Sequence, residues 1–174
     1  MTTTYFSGQK VRAGEFGDLI DQDSVLPLGI IARGNRTTSS TTTTTEVGVE
    51  RLDDIPVYAG RSYKIWTSPL NLDSSVANDV VLAAVRYTTD GSTPSTSSTV
   101  LSAIQERCDD ATNGPVLPFC CDYSPAADQL LSVLLSVGRV SGTGSVSIIG
   151  SATRPINLNV EDMGPDPGDT GVDI

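Results

Sequence analysis

The sequence predicts an all-β chain, an antiparallel β-sandwich or jelly roll preceded by an N-terminal arm with a short helix. Three observations predict it. About eight short segments of strand character are separated by turn residues. No long segment between them carries the helical period. Only nine residues are aromatic (three Phe, five Tyr, one Trp) within a 38% hydrophobic chain, so the core must rest on Val, Leu and Ile.

Residues 1–28 form the expected arm, 29–163 the β-domain and 164–174 an acidic Pro/Gly tail. In the arm, Val11 stands ahead of Phe16, Leu19 and Ile20, whose i, i+3, i+4 spacing gives one or two helical turns with a narrow apolar stripe. Glycines at 8, 14 and 17 limit that helix. Such a stripe suits docking better than standing alone. Leu28 to Ala32 reads as a strand, Gly34-Asn35-Arg36 as a turn, and the nine hydroxyl residues Thr37 to Thr45 as an edge strand or exposed loop. Glu46 to Leu52 alternates in part. A turn at Ala59-Gly60 feeds a strand over Arg61 to Thr67, with Tyr63 and Ile65 on one face and Lys64 and Trp66 on the other. Val80 to Thr89 is apolar on both faces up to Val85, as a central strand should be. Asp90-Gly91 then supplies a tight hairpin turn. Gln105 to Pro125 is poorly patterned. Leu130 to Val140 reads as a strand, with Leu131, Val133, Leu135 and Val137 opposite Ser132 and Ser136. Ser141-Gly142-Thr143-Gly144 and Ser145 to Ile149 have a hairpin signature, and Ile156 to Val160 closes the domain.

Composition excludes several functions. There is no histidine, which removes the usual general base and the commonest zinc ligand. Eleven basic against 21 acidic groups leave a net charge of -10, which repels a phosphate backbone, so no nucleic-acid partner is expected. Val80 to Val85 is among the longest apolar runs, far below the ~20 residues a membrane helix needs, and Met1 to Thr4 lacks the features of a signal peptide. A serine nucleophile would have only Lys10 or Lys64 as a base; the C-terminal carboxylates Glu161, Asp162, Asp166, Asp169 and Asp173 match no calcium-loop spacing, and nothing selects Asp53-Asp54 or Asp109-Asp110 as a glycosidase pair. No enzyme, catalytic residue, metal site or cofactor is expected. Cys108, Cys120 and Cys121 are an odd set, so at least one thiol stays free or pairs between chains. Trp66 and Tyr87 are the candidate glycan contacts, because a flat aromatic ring matches the apolar face of a pyranose.

Two resemblances follow from particular residues. Tyr87-Thr88-Thr89-Asp90-Gly91-Ser92-Thr93-Pro94 is similar to a hairpin in the C-terminal β-sandwich modules of chitobiases and other secreted carbohydrate enzymes. The opening Phe6-Ser7-Gly8-Gln9-Lys10-Val11-Arg12-Ala13-Gly14-Glu15-Phe16 resembles the start of many tailed-bacteriophage virion proteins, with Phe16-Gly17 in place of the usual Leu-Asn. Gly48 to Leu52, Ala59 to Tyr63 and Asn71 to Asp73 look like strands of small jelly-roll heads in phage fibre, minor tail and capsid decoration proteins. Ile156 to Pro165 is similar to their last strand and its exit.

The wider resemblance implies a virion protein of a phage infecting actinobacteria, assembled in the host cytoplasm. On this view the arm attaches the chain to capsid or tail proteins. The β-domain is displayed outward, and the resemblance implies a homotrimer. The alternative is a carbohydrate-binding β-sandwich for adhesion to a host-surface glycan.

Overall fold

The computed structural model describes residues 26–111 and 114–168. Its elements are eleven strands: β1 (Gly29–Arg36), β2 (Val47–Val57), β3 (Arg61–Thr67), β4 (Leu70–Ser74), β5 (Asp79–Thr88), β6 (Thr99–Cys108), β7 (Val116–Leu117), β8 (Cys120–Tyr123), β9 (Gln129–Ser141), β10 (Val146–Ile149) and β11 (Ile156–Pro165). They form sheet A in the order β1-β11-β3-β8, sheet B in the order β10-β4-β7 and sheet C in the order β2-β9-β5-β6. Every pairing within a sheet is antiparallel, as the sequence predicts.

Alternation dictates the packing. On β3, Tyr63, Ile65 and Thr67 face inward and Lys64 and Trp66 outward. On β9, Leu131, Val133, Leu135 and Val137 are fully buried. The apolar faces of the three sheets meet in one core, which joins these to Leu72 and Ile148 of sheet B and Leu158 and Val160 of sheet A. Each fully buried Leu, Ile or Val contributes about 1.5–3 kcal/mol, so a core this poor in aromatics still holds the domain. The expected central strand is central: β5 lies between β9 and β6. Pro56 sits in β2, an edge strand, where a missing N–H breaks no ladder. The same strand carries bulges at Gly48/Glu50 and Leu52/Ile55, and Asp54 takes a left-handed φ of 55° in the second.

Several expectations are corrected. Gly34-Asn35-Arg36 is not a turn; all three residues belong to β1 and pair with β11. Gly34 is there because the Glu50 side chain occupies the space a Cβ would take. The Ser141–Ser145 segment does not close a hairpin. β9 stays in sheet C, while β10 crosses to sheet B and pairs with β4. The poorly patterned stretch holds the end of β6 and all of β7 and β8, short pieces whose alternation is too brief to read. The β5–β6 hairpin forms, but through the ten residues Thr89–Ser98 rather than a tight turn. The hydroxyl run covers the edge of sheet B: Thr43 and Val146 exchange two backbone hydrogen bonds, and the Ser40 N–H donates to Ile148 O at 2.9 Å. The predicted helix, with Val11, Phe16, Leu19 and Ile20, lies outside the described residues.

Candidate functional site

Two surfaces draw on the residues singled out in the sequence. The first is the pole where the arm joins the domain. β1 runs antiparallel to β11, so Gly29 starts beside Asp162 at the end of the last strand. Asp162 is only 1% exposed and faces the Arg61 guanidinium through two hydrogen bonds, Nε to Oδ2 at 2.8 Å and Nη2 to Oδ1 at 2.7 Å. Burial pushes its pKa up, but the Arg61 hydrogen bonds and the N–H groups of Gly164 and Leu28 outweigh this and hold it below its ordinary value. The same guanidinium donates to the Leu26 carbonyl at 2.7 Å. Pro27 rests on Gly164, whose φ of +98° turns the chain there. At the same pole the Asp166 N–H donates to Gly60 O at 2.8 Å. Both described ends therefore leave from one end of the sandwich, and the first is clamped by a buried ion pair.

The second surface is the outer face of sheet A. Cross-strand register lines up Arg33, Asn159, Trp66 and Cys120 in one row, and Ile30, Glu161, Lys64 and Asp122 in the next. Arg33 Nε donates to Asn159 Oδ1 at 2.9 Å, Asn159 Nδ2 to the Trp66 carbonyl at 3.4 Å, and Trp66 Nε1 to Glu161 Oε2 at 3.0 Å. Asn159 points outward yet is 1% exposed, because Arg33 and Trp66 close over it from either side. The indole is thus held on the sheet by its N–H, half-buried, among polar groups.

Tyr87 lies elsewhere. It packs inward from β5 against Tyr123, with ring centroids 5.6 Å apart at 58°. Trp66 and Tyr87 stand on opposite sides of sheet A and share no surface. The three cysteines are free: Cys120 is exposed opposite Trp66, Cys121 faces the core and Cys108 is buried at the end of β6. Burial pushes the thiol of Cys121 up to about 12 and that of Cys108 to about 11, so both stay protonated near neutral pH.

Two groups of residues escaped the sequence reading. Glu46 and Arg86 form a bidentate pair, Nε to Oε1 and Nη2 to Oε2 both at 2.6 Å, over the buried Ser136 hydroxyl, which also donates to Glu46. Asp79, 1% exposed, accepts from Ser74 Oγ at 2.7 Å, Gly144 N at 2.8 Å and Thr143 N at 3.0 Å, and the Ser74 hydroxyl and those amides hold its pKa low. Arg86 lies 40 positions and Ser136 90 positions from Glu46, and Gly144 lies 65 from Asp79, so spacing alone gave no signal. Among the described residues no three His, Cys, Asp or Glu side chains come together as a metal site.

No protein-family model matches the chain, and no curated protein matches it. Solved structures match it at low identity and low TM-score. The VP2 subviral particle of infectious bursal disease virus is 15% identical over 80% of this chain and 38% of that one, with a TM-score of 0.40. The CBM22-1 xylan-binding domain of Paenibacillus barcinonensis Xyn10C is 12% identical over 78% of this chain and 88% of that one, also at 0.40. The Eiger TNF of S. frugiperda is 13% identical over 84% and 92%, at 0.33. The chain spans well under half of the VP2 chain it matches. At these values the chain's function must be argued from its own residues.

Proposed function

We propose that this chain is a non-enzymatic structural protein of a phage particle, attached through residues 1–28 and displaying its β-domain outward as a capsid decoration, fibre or minor tail protein. The observation that carries this reading is the pole at Arg61. The buried Arg61–Asp162 pair fixes Leu26, the root of the arm, so a docked arm would hold the domain in a defined orientation rather than on a loose tether. The hydroxyl-rich Thr37–Thr45 segment lies at the other end of β1, directed away from the particle. The phage-like opening and last strand support the same assignment. Homotrimer assembly is part of the proposal.

Orientation tests it. In a Cys120→Ser background, particles carrying Thr41→Cys should take up an impermeant maleimide, while Ala59→Cys, beside the arm root, should be shielded. Equal labelling of both positions on intact particles would defeat the proposal.

A second reading, carbohydrate binding, is favoured by one observation: Trp66 lies outward on a sheet face, flanked by Arg33, Asn159 and Glu161.

A further inference from the structure

We propose that the outer face of sheet A, from Trp66 to a recess at its seam with sheet B, is a binding site for an acidic saccharide. This rests on the carbohydrate-binding reading and does not require particle attachment.

The seam has a simple origin. β3 and β4 are separated by only Ser68 and Pro69, and β10 and β11 by the loop Gly150–Pro155, so sheets A and B part where these two connections meet. The gap is a recess of about 190 Å³ lined by Pro69, Asn71, Ile149, Arg154, Pro155 and Asn157. Ser68 bridges its floor: its hydroxyl donates to Pro155 O at 2.8 Å and accepts from Asn157 N at 3.0 Å. The recess is smaller than the ~300–1,000 Å³ of pockets that engulf a ligand. It accommodates one end of a molecule whose remainder lies across the sheet. Ser68 follows Trp66 by two residues just past the end of β3, so their Cα atoms are no more than about 7 Å apart. A short oligosaccharide spans that distance.

Charge selects the class of sugar. The chain is strongly acidic, and most of its described cations are already engaged. Arg51, Arg61, Arg86 and Arg107 form ion pairs. Arg36 and Arg139 donate to backbone carbonyls. The remaining three, Arg33, Lys64 and Arg154, form no ion pair, and all three lie on or beside this face. Lys64 is outweighed by its cross-strand neighbours Glu161 and Asp122, so Arg33 and Arg154 leave this face with a single net positive charge in an otherwise acidic chain. Arg154 is exposed, and its guanidinium is free to meet a carboxylate in a paired geometry. Asn71 lines the recess with its Oδ1 left without a hydrogen-bond partner, so a turn of this side chain offers an acceptor to the hydroxyl next to that carboxylate. The indole supplies the stacking face.

Trp66 is the chain's single tryptophan, so its fluorescence reports this site in the unaltered protein. The full chain is titrated with trigalacturonate and with maltotriose, alone and as Arg154→Gln and Trp66→Ala. Trigalacturonate should change the fluorescence saturably and bind more weakly as salt rises. Arg154→Gln should weaken it about tenfold, the loss expected for one charge-assisted contact. Trp66→Ala, followed by calorimetry, should abolish it. Maltotriose binding as tightly as trigalacturonate, with Arg154→Gln silent, overturns the acidic-ligand inference and leaves the carbohydrate reading standing. No response to either sugar overturns both. Should Trp66→Ala not fold, maleimide labelling of Cys120, opposite Trp66, must block binding in the intact chain; unaltered binding by the labelled protein counts against the site.

Discussion

Single residues do the work that separates this chain from a generic β-sandwich. Arg61 is the clearest case, since one guanidinium holds both a buried carboxylate and the Leu26 carbonyl at the root of the arm. Replacing it with Met leaves Asp162 buried without its counter-charge. Removing one partner of such a pair costs about 3–5 kcal/mol, so Arg61→Met should lower stability by about 3 kcal/mol, measured by urea unfolding, whereas the exposed pair Arg51–Asp53 should be worth under about 1 kcal/mol. The thiols divide in the same way. Iodoacetamide at neutral pH should modify Cys120 first, and Cys121 and Cys108 only on unfolding; mass spectrometry after partial labelling gives the order. The outward placement of Trp66 was legible from period two. Its neighbours were not, because Asn159, Glu161 and Arg33 reach it from two other strands, and cross-strand register is not visible in one sequence.

At the scale of elements, patterns were legible where a strand was long and had one buried face. The bounds of β3 follow from Gly60 and from the alternation Tyr63, Ile65, Thr67. Legibility failed where a turn-like composition serves another purpose. Gly142 and Gly144 look like hairpin glycines, but a Cβ on either would strike the Asp79 carboxylate. They let the β9–β10 connection wrap that carboxylate with backbone N–H groups while the chain changes sheets. Both Gly142 (φ +107°) and Gly91 (φ +77°) have left-handed backbone that strains alanine, but only at Gly142 would a Cβ also meet a buried group, so Gly142→Ala should lower the melting temperature markedly more than Gly91→Ala. Similarly, Gly34 reads as a turn but is the cavity for Glu50, whose pKa is raised by burial against the opposing pull of Arg36.

At the scale of the molecule, the absence of histidine has a measurable consequence. Without it, no side chain has an unperturbed pKa between about 5 and 8, so stability should be nearly flat across that interval. Below it the sign is set by Glu46, Asp79 and Asp162, each held below its ordinary value in the folded state. A depressed carboxylate stabilises the fold above its unfolded pKa and loses that contribution as pH falls through the folded one. Melting temperature should accordingly drop from about pH 4 downward; Glu50, shifted the other way, acts above that range, where its protonation favours the fold as pH falls toward its ordinary value. The sandwich class was legible throughout, since composition and alternation both follow from burying one face of each sheet. The arrangement of its poles was not, because that depends on which strand ends meet. The arrangement is also what the proposed role depends on: a stable domain on one side of Arg61 and an attachment segment on the other. The most direct measurement is the incorporation of a chain lacking residues 1–20 into particles. The account predicts a folded domain with an unchanged melting temperature that is missing from purified particles. Incorporation at the level of the full chain would contradict it.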